Sequence, residues 1–342
     1  MKRVIYLLLL TMLIVGIVIG CSKSADEEKS VKDRTSVVRE VKVATLDGLP
    51  AVSVAKLYNE TPKIKEGYET KYIINDDKEE LFNSLLESNV DIAIVTPDMA
   101  ARAYNQNGKY KIMGTIGMSP YYFVSNEEGI NSISDLSGKE AVSVTYGDAT
   151  DDIIQLALED NGIYSEDVNI KQLDIMDYYR SEQNLISEIE TNKPLNAFLP
   201  EPILTTLLVE NADKNIRIVK GINDSWKENY SNSKGCPQYT IVVRDDFLNT
   251  NKDFVNSFVG QVSTSTDWAI KNPNETEKYV REMDVSPKLS ITKETLERSN
   301  LKYIPINSMI ADYNNYYKKV FSLSNKLEDE KLPDESIYYL GN

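Results

Sequence analysis

The sequence predicts an α/β protein with two lobes, and three observations support this prediction. Short apolar runs alternate with amphipathic stretches from Val37 onward. The same alternation starts again after 121–125, and a helical tail follows the last predicted strand, 239–244. Because alternating strands and helices favour parallel sheets covered by helices, we expect two such sheets. The tail is too poor in strand patterns for a third domain, so we expect it to pack on the first lobe.

Each element is predicted from its own pattern. The run 91–95 (DIAIV) is almost wholly apolar, which is typical of a strand buried on both faces. The first lobe has predicted strands at 41–46, 70–74, 91–95 and 111–116 and predicted helices at 51–59, 78–87 and 99–105. The second lobe has predicted strands at 121–125, 140–145, 168–173, 197–199 and 216–220, a short helix or turn at 132–138, and helices at 151–161, at 178–191 and after 200–202. The tail has predicted helices at 252–271, 273–283, 293–299 and 308–323. The predicted first lobe comprises 37–122 and 241–342, and the predicted second lobe comprises 123–240.

Composition excludes several classes of function. The chain has 342 residues and a formal net charge of −15, which makes it a poor candidate for holding a nucleic-acid backbone. It has no histidine, which excludes an imidazole base, a Ser-His-Asp triad or a histidine-ligated metal. Two cysteines are too few for a disulfide framework or a Cys-rich metal site. We therefore expect no cofactor, no metal site and no nucleic-acid partner.

The N-terminus resembles the signal sequence of a bacterial lipoprotein. Lys2 and Arg3 precede the apolar stretch 4–19, and the small residue Gly20 precedes Cys21. This order matches the lipobox, in which the cysteine is acylated and becomes the new N-terminus. The alternative is an uncleaved anchor helix with an incidental cysteine. We predict a signal peptide over 1–20 and, because 22–36 is almost wholly polar, a disordered lipid-anchored tether over 21–36.

Five fragments, in order, resemble the solute-binding lipoproteins of ABC importers, in the nitrate, sulfonate and taurine group that also includes thiamine-pyrimidine binders. The fragments are VKVATLDGLP (41–50), VDIAIVTP (90–97), SISDLSGK (132–139), LPEP (199–202) and RDDF (244–247). The resemblance implies a periplasmic-binding-protein type II fold, with a hinge of two crossing segments and a small molecule bound between the lobes. It also implies an ABC permease with its ATPase as partners and a location on the outer face of the cell membrane. We expect a monomer.

Three other functions stay open beside this one. A sulfonate or nitrate binder would keep the same fold and transport role. A sensor or adhesion lipoprotein would keep the fold alone. An enzyme of pyrimidine synthesis, an activity of eukaryotic relatives of this fold, is disfavoured because that activity is associated with a histidine and a cysteine-rich motif. We therefore expect a binding protein and not an enzyme.

Ligands of such folds bind beyond the carboxyl ends of the strands. The loops predicted there are 47–50, 96–98, 119–122, 146–150, 200–202 and 236–239, and they contain acids and tyrosines but no lysine or arginine. This composition suits a neutral or cationic heterocycle better than an anion, unless a basic residue such as Arg102 or Lys234 reaches in from outside the loops. The predicted ligand-binding residues are Asp47, Gly48, Leu49, Thr96, Tyr121, Tyr146, Asp148, Ala149, Thr150, Glu201 and Tyr239.

Some of these residues have a structural alternative. Asp148 and Glu201 could instead cap helix N-termini, and we interpret Asp98 as a cap. Tyr121 and Tyr122 point to opposite faces of an extended segment, so at most one of them faces the ligand.

The lipobox makes a direct prediction. The substitution Cys21→Ala removes the thiol that takes the lipid, so the variant should remain uncleaved or be released from the membrane. Metabolic labelling with a fatty acid and cell fractionation measure both outcomes. A variant that loses its signal peptide yet stays membrane-bound would contradict the lipobox.

Overall fold

The computed structural model describes residues 38–145, 148–174, 194–285, 291–323 and 331–341. The predicted signal peptide, the tether and the predicted helix 178–191 lie outside the described residues. In the part that is described, no helix is both long and apolar enough to cross a membrane.

The strands form two sheets, as the sequence predicts. In chain order they are β1 (Arg39–Leu46), β2 (Tyr68–Asn75), β3 (Ile92–Val95), β4 (Tyr110–Met118), β5 (Tyr121–Ser125), β6 (Glu140–Thr145), β7 (Asn169–Asp174), β8 (Asn196–Pro200), β9 (Arg217–Gly221), β10 (Pro237–Arg244) and β11 (Leu301–Pro305). The first sheet has the order β11-β4-β10-β3-β1-β2, and the second has the order β7-β6-β8-β5-β9. The chain passes from the first sheet to the second between Met118 and Tyr121 and returns between Gly221 and Pro237. The predicted lobe limits, 122/123 and 240/241, fall inside β5 and β10, and sheet membership places both limits a few residues earlier.

The sequence predicts parallel sheets, but both sheets are mixed. Strand β1 is parallel to β2 and β3, but β10 is antiparallel to β3 and β4. In the second sheet β6 is parallel to β7 and β8, but β5 is antiparallel to β8 and β9. The reason is the direction in which the chain enters each sheet. The parallel strands end at the junction where the two sheets meet. Strands β5 and β10 each begin at that junction, so they run in the opposite direction.

The described α-helices follow the predicted order with small shifts, except that α7 and α8 have no predicted counterpart. They are α1 (Leu49–Val52), α2 (Ala55–Glu60), α3 (Lys78–Leu86), α4 (Pro97–Asn107), α5 (Asp148–Glu159), α6 (Ile203–Glu210), α7 (Ile222–Asn229), α8 (Asp245–Thr250), α9 (Lys252–Lys271), α10 (Pro273–Glu282), α11 (Lys293–Arg298) and α12 (Ile310–Leu323). Short 3-10 turns lie at Ile133–Leu136, Ala212–Lys214, Ile306–Ser308 and Glu335–Ile337. Local caps explain several starts. For example, Asp77 accepts hydrogen bonds from the amides of Glu79 and Glu80 at the beginning of α3.

Two differences from the predicted elements have local causes. The helix predicted over 51–59 is two helices, α1 and α2, separated by a turn at Ser53 and Val54. Strand β11 has no counterpart among the predicted strands, because its five residues lie in a helical tail and pair only at the edge of the first sheet, antiparallel to β4. The tail is therefore not free of strands.

The tail packs on the first sheet. One face of this sheet is covered by a core cluster that includes Phe247, Phe254, Phe258 and Leu296 from the tail. The opposite face belongs to a second cluster that also contains Phe123 and Phe198 of the second sheet and the tyrosines of α12. Apolar packing is therefore continuous across the junction of the two sheets.

The two crossing segments touch each other at this junction. The amide of Ser119 donates a hydrogen bond of 2.9 Å to the carbonyl of Cys236. Gly235, just before Cys236, has φ +142°, and a Cβ there would lie 2.4 Å from Asn223 Oδ1 and 2.6 Å from Met118 Cγ. Only glycine fits this position without displacing the neighbouring segment.

The crowding at Gly235 predicts a large effect of one methyl group. The substitution Gly235→Ala should lower the free energy of unfolding by about 2 kcal/mol more than Gly129→Ala, because overpacking adds to backbone strain. Gly129 is a matched control, since it also has positive φ (+88°) but a Cβ added there would meet nothing within 4 Å. Urea unfolding of both variants measures the difference. Equal losses would show that the crossing segments have room to separate.

Candidate ligand-binding site between the two sheets

Predicted site residues from three strands of the first sheet meet at one edge. Thr45 pairs with Ile94, and Val95 pairs with Thr240, so β1, β3 and β10 lie side by side. Asp47–Leu49, Thr96 and Tyr239 follow or belong to these strands at the end that faces the second sheet. The strand ends therefore bring these residues together, although they are far apart in the chain.

Individual side chains at this edge differ in what they can contact. The Asp47 carboxylate accepts a 2.7 Å hydrogen bond from the amide of Gly48, which has φ +87°. Leu49 is buried in the core at the start of α1. Tyr239 is also buried and packs over Gly117, where a Cβ would lie 2.6 Å from its ring. Leu49 and Tyr239 therefore have structural roles here, and their contact with a ligand stays a prediction.

The two adjacent tyrosines face opposite sides of β5, as predicted. Tyr121 is buried in the cluster shared by the two sheets, and Tyr122 is buried on the other face. The hydroxyl of Tyr122 donates a 2.8 Å hydrogen bond to the carbonyl of Arg298, which belongs to the tail. Burial and the nearby Glu201 carboxylate raise the pKa of Tyr122 to about 12, so its hydroxyl stays a donor at neutral pH.

The structure describes only part of the loop 146–150, which is one of the predicted site loops. Tyr146 lies outside the described residues. The described part of Asp148, Ala149 and Thr150 is their backbone, which forms the first turn of α5. Their contact with a ligand stays a prediction.

Glu201 forms a buried ion pair with a residue of the tail. Its carboxylate is fully buried, and Oε1 accepts a 2.5 Å hydrogen bond from Nε of Arg298. Oε2 accepts hydrogen bonds from the amide and the hydroxyl of Thr205, at 3.2 and 2.8 Å. Burial raises the pKa of Glu201, although the bonds to Arg298 and Thr205 oppose this shift. Since both oxygens are occupied by protein donors, the role of Glu201 as a ligand acceptor stays a prediction.

Arg298 brings a positive charge to a region whose own loops have none. The sequence suggested two other basic residues for this role. The Arg102 guanidinium lies 4.6 Å from the centroid of the Phe82 ring, and the Lys234 side chain is exposed. Sequence reasoning missed Arg298 because it is 97 positions from Glu201 in the chain. Its charge is balanced by Glu201, so it adds no net positive charge at the junction.

A second acid, Asp312, also accepts hydrogen bonds from residues on the second sheet's side of the junction. It lies near the start of α12, and its Oδ1 accepts a 3.1 Å hydrogen bond from the indole of Trp226 and a 2.5 Å bond from the hydroxyl of Ser233. Its Oδ2 accepts a 2.9 Å hydrogen bond from the amide of Lys234. Trp226 is thereby held in the junction core rather than presented to a ligand.

Three polar side chains at the junction have atoms without such partners. Within the described ranges, Oδ1 of Asp98, Oε1 of Gln238 and Oγ of Ser119 are buried and accept or donate no hydrogen bond. The prediction that Asp98 caps α4 is therefore wrong for its Oδ1. Gln238 lies in the predicted loop 236–239 but was not named, since amides carry no charge signal in a sequence. Buried polar groups without a hydrogen-bond partner are rare in proteins.

Comparisons with known proteins identify the fold. No protein-family model and no curated protein matches the chain. Among solved structures, an ABC transporter protein from Parabacteroides distasonis is similar, with 19% identity, a TM-score of 0.71, and coverage of 90% of this chain and 100% of that one. The periplasmic aliphatic sulphonate-binding protein SsuA of Escherichia coli is 12% identical, with a TM-score of 0.68 and coverage of 89% and 93%. The alkanesulfonate-binding protein SsuA of Xanthomonas axonopodis pv. citri, bound to MOPS, is 11% identical, with a TM-score of 0.55 and coverage of 87% and 95%.

These similarities confirm the predicted fold class. The chain has the two-lobe α/β fold of periplasmic solute-binding proteins of ABC transporters, with one sheet in each lobe. We call the first sheet and its helices the first lobe, and the second sheet and its helices the second lobe. We assign the tail to the first lobe; its helix α12 contacts both β10 of the first sheet and α5 of the second lobe. At identities below 20% the likeness concerns the fold, and ligands must be argued from this chain's own residues.

The Glu201–Arg298 pair predicts a pH-dependent effect. Since the folded-state pKa of Glu201 is raised, the unfolded chain loses this proton first as pH rises, and the ionised carboxylate then costs stability. Arg298→Ala removes the partner of that carboxylate and should cost about 3 kcal/mol at pH 8, with a smaller loss at pH 5, where Glu201 can keep its proton. Urea unfolding at both pH values measures the loss.

Two further variants make this test specific. Adding Glu201→Gln to Arg298→Ala should recover much of the loss at pH 8, because no buried charge is left. Arg281→Ala removes an exposed ion pair with Glu277 and should have little effect at either pH. A loss from Arg298→Ala that is the same at both pH values would show that Arg298 acts through packing alone.

Proposed function

We propose that the protein is the extracytoplasmic solute-binding receptor of an ABC importer. It captures a small molecule between its two lobes and delivers it to a membrane permease driven by an ATPase. The observation that carries this proposal is the two-lobe fold, shared over about 90% of the chain with proteins of ABC transporters. The lipobox at Cys21 supports attachment to the outer face of the membrane through a lipid. The mature protein then acts as a monomer on a polar tether.

The contacts between the lobes support capture by closure. Asp160 of the second lobe lies 3.3 Å from Lys319 of the first, and this pair is one of several polar contacts that close the junction. Glu201 and Asp312 each bind donors from across the junction. The contacts of Glu201 and Asp312 lie beside the crossing segments, where a hinge moves least. Lobes joined by two crossing segments can open and close around them, and a ligand shifts the balance toward the closed form.

The residues at the junction favour a neutral or cationic heterocycle as ligand. The predicted site residues Asp47, Thr96 and Asp148 bring acids and a hydroxyl to the lobe edges, and the unpartnered Oδ1 of Asp98 adds an acceptor. An anion at this place would face carboxylates in a medium of low effective dielectric constant. N–H groups of a heterocycle would instead donate to them.

A sulfonate ligand is the second candidate, because similar solved structures include sulfonate-binding proteins. The guanidinium of Arg298 is a cation at the junction that such a ligand could use. It is already bound to Glu201 and Thr205, so a sulfonate would have to displace a buried ion pair. We therefore place the sulfonate second. We propose no enzymatic role, since similar solved structures include solute-binding proteins.

Closure can be measured with a disulfide trap across the junction. In the double variant Asp160→Cys with Lys319→Cys, the two thiols approach each other only when the lobes are closed. A true ligand should accelerate disulfide formation at least tenfold, and nitrate and ethanesulfonate should leave the rate unchanged. Candidate solutes are screened by this rate, and small-angle scattering should show a smaller radius of gyration for each that accelerates it.

The control uses an ion pair of the same kind inside one lobe. Lys65 and Asp253 lie 2.9 Å apart, and both belong to the first lobe. Cysteines at these positions should form a disulfide at a rate that no solute changes. Cys236 is fully buried and does not interfere. If solutes that bind the protein never change the rate across the junction, capture by closure is refuted.

A further inference from the structure

Strand β2 leaves a long edge of the first sheet without a partner. It is the last strand of that sheet, and none of the described strands pairs with its outer side. Its eight residues pair with β1 in one unbroken parallel register. The other three edge strands, β7, β9 and β11, are shorter, and register shifts interrupt the pairing of β9 and β11. Such irregularities protect sheet edges, and β2 has none.

Alternate residues of β2 turn their backbone groups toward this free edge. The carbonyl of Asn75 accepts a 2.8 Å hydrogen bond from the amide of Asp47, directly after β1, so it faces β1. Backbone groups point to alternate sides along a strand, and those of Thr70 and Tyr72 therefore face outward. A further strand can pair here only if its own outward-facing residues lie opposite these two.

Charged side chains lie beside this edge in two like-charged pairs. Glu69 and Lys71 are exposed, and none of the ion pairs or side-chain hydrogen bonds between described residues includes them. In the register with β1, Glu40 lies beside Glu69 and Lys42 lies beside Lys71. Like charges side by side on neighbouring strands repel each other. A partner strand that brings the opposite charge to each pair would relieve this repulsion.

A second copy of β2 brings these charges in one antiparallel register. When Thr70 lies opposite Thr70 of the second copy, outward-facing residues meet outward-facing residues. Glu69 then lies opposite Lys71 of the second copy, and the two-fold axis repeats this pair. Pairs of this kind lie between the hydrogen-bonded ones, with Cα atoms about 4.5 Å apart, so their side chains meet closely. Tyr68 lies opposite Tyr72 of the second copy, which adds an aromatic pair on the other face.

Neighbouring registers lack this complementarity. A register centred on Lys71 would place two lysines opposite each other, and one centred on Glu69 would do the same with two glutamates. A register centred on Tyr72 would place Lys71 opposite Ile73. A register centred between two residues would set outward-facing backbone groups against groups that face β1. Of these registers, only the one centred on Thr70 pairs opposite charges.

We propose that two copies of this chain pair through the outer edge of β2, antiparallel and centred on Thr70. Each copy keeps its own two lobes, so one copy stays the unit that captures a solute, and the pairing goes beyond the proposed function. The two β1 strands then begin about 20 Å apart, three strand spacings across and four residues along. The predicted tether 21–36 can extend to about 50 Å, so two lipid-anchored copies can pair on one membrane.

Charge reversal and its rescue test the pairing. Sedimentation velocity of the full chain in detergent, over a series of protein concentrations, should show a dimer of the wild type. Glu69→Lys and Lys71→Glu each place like charges opposite each other, and each should weaken the dimer about tenfold or more. A mixture of the two variants restores both opposite-charge pairs and should again form a dimer.

The control for charge is Lys227→Glu, which reverses an exposed charge of the second lobe and should leave the dimer unchanged. Thermal unfolding should show that all three variants are folded, since the substituted side chains are exposed. A wild type whose mass stays that of one copy over the whole series overturns the inference. A dimer that neither reversal at β2 weakens overturns it as well.

Disulfide formation tests the register. Co-expressed Glu69→Cys and Lys71→Cys variants place one thiol opposite the other, at a Cα distance that suits a disulfide, so an added oxidant should link them in cell membranes. In either variant alone the two thiols lie on a diagonal, about 7–8 Å apart, and should link at least tenfold more slowly. Cys21 and Cys236 are the same in all samples. Equal rates in the mixture and in the single variants would refute the register centred on Thr70.

Discussion

The hydrogen bond between Ser119 and Cys236 marks the constraint on which the rest of the structure depends. It joins the two segments by which the chain leaves the first sheet and returns to it, and Gly235 allows them to touch. Because the parallel strands of both sheets end at this junction, their loops meet across it. The same constraint forces β5 and β10 to run against their neighbours. The position of the junction is thus a consequence of how the chain crosses between the sheets, and not of any single side chain in it.

Charge at the junction follows from the same geometry. Two acids, Glu201 and Asp312, receive donors from across the junction and therefore tie the lobes together beside the crossing segments. Asp98 lies among buried groups as well, but its Oδ1 has no such donor.

The site was only partly predictable from the sequence. Strand ends predicted the edge that carries Asp47 and Thr96, because the carboxyl end of a strand is readable from local pattern. The alternation in β5 predicted that Tyr121 and Tyr122 separate. The sequence favoured Glu201 as a ligand contact and Asp98 as a cap, and the contacts instead give Glu201 a protein partner and leave Oδ1 of Asp98 without one. Both interpretations depended on neighbours that lie far away in the chain.

The fold class, the order of nearly all strands and helices, and the two-sheet arrangement could be predicted from the amino-acid pattern alone. These features follow from the period of apolar residues, which reports the burial of each side chain and is a local property. The antiparallel direction of β10 and β11, the pairing of Arg298 with Glu201, and the hydrogen bond from Tyr317 to the Pro97 carbonyl emerged from tertiary contacts. These depend on which distant segments meet, and hydrophobic period carries no information about the identity of a partner. Packing across the junction supplies that information, since it brings together residues that are as far apart in the chain as Glu201 and Arg298.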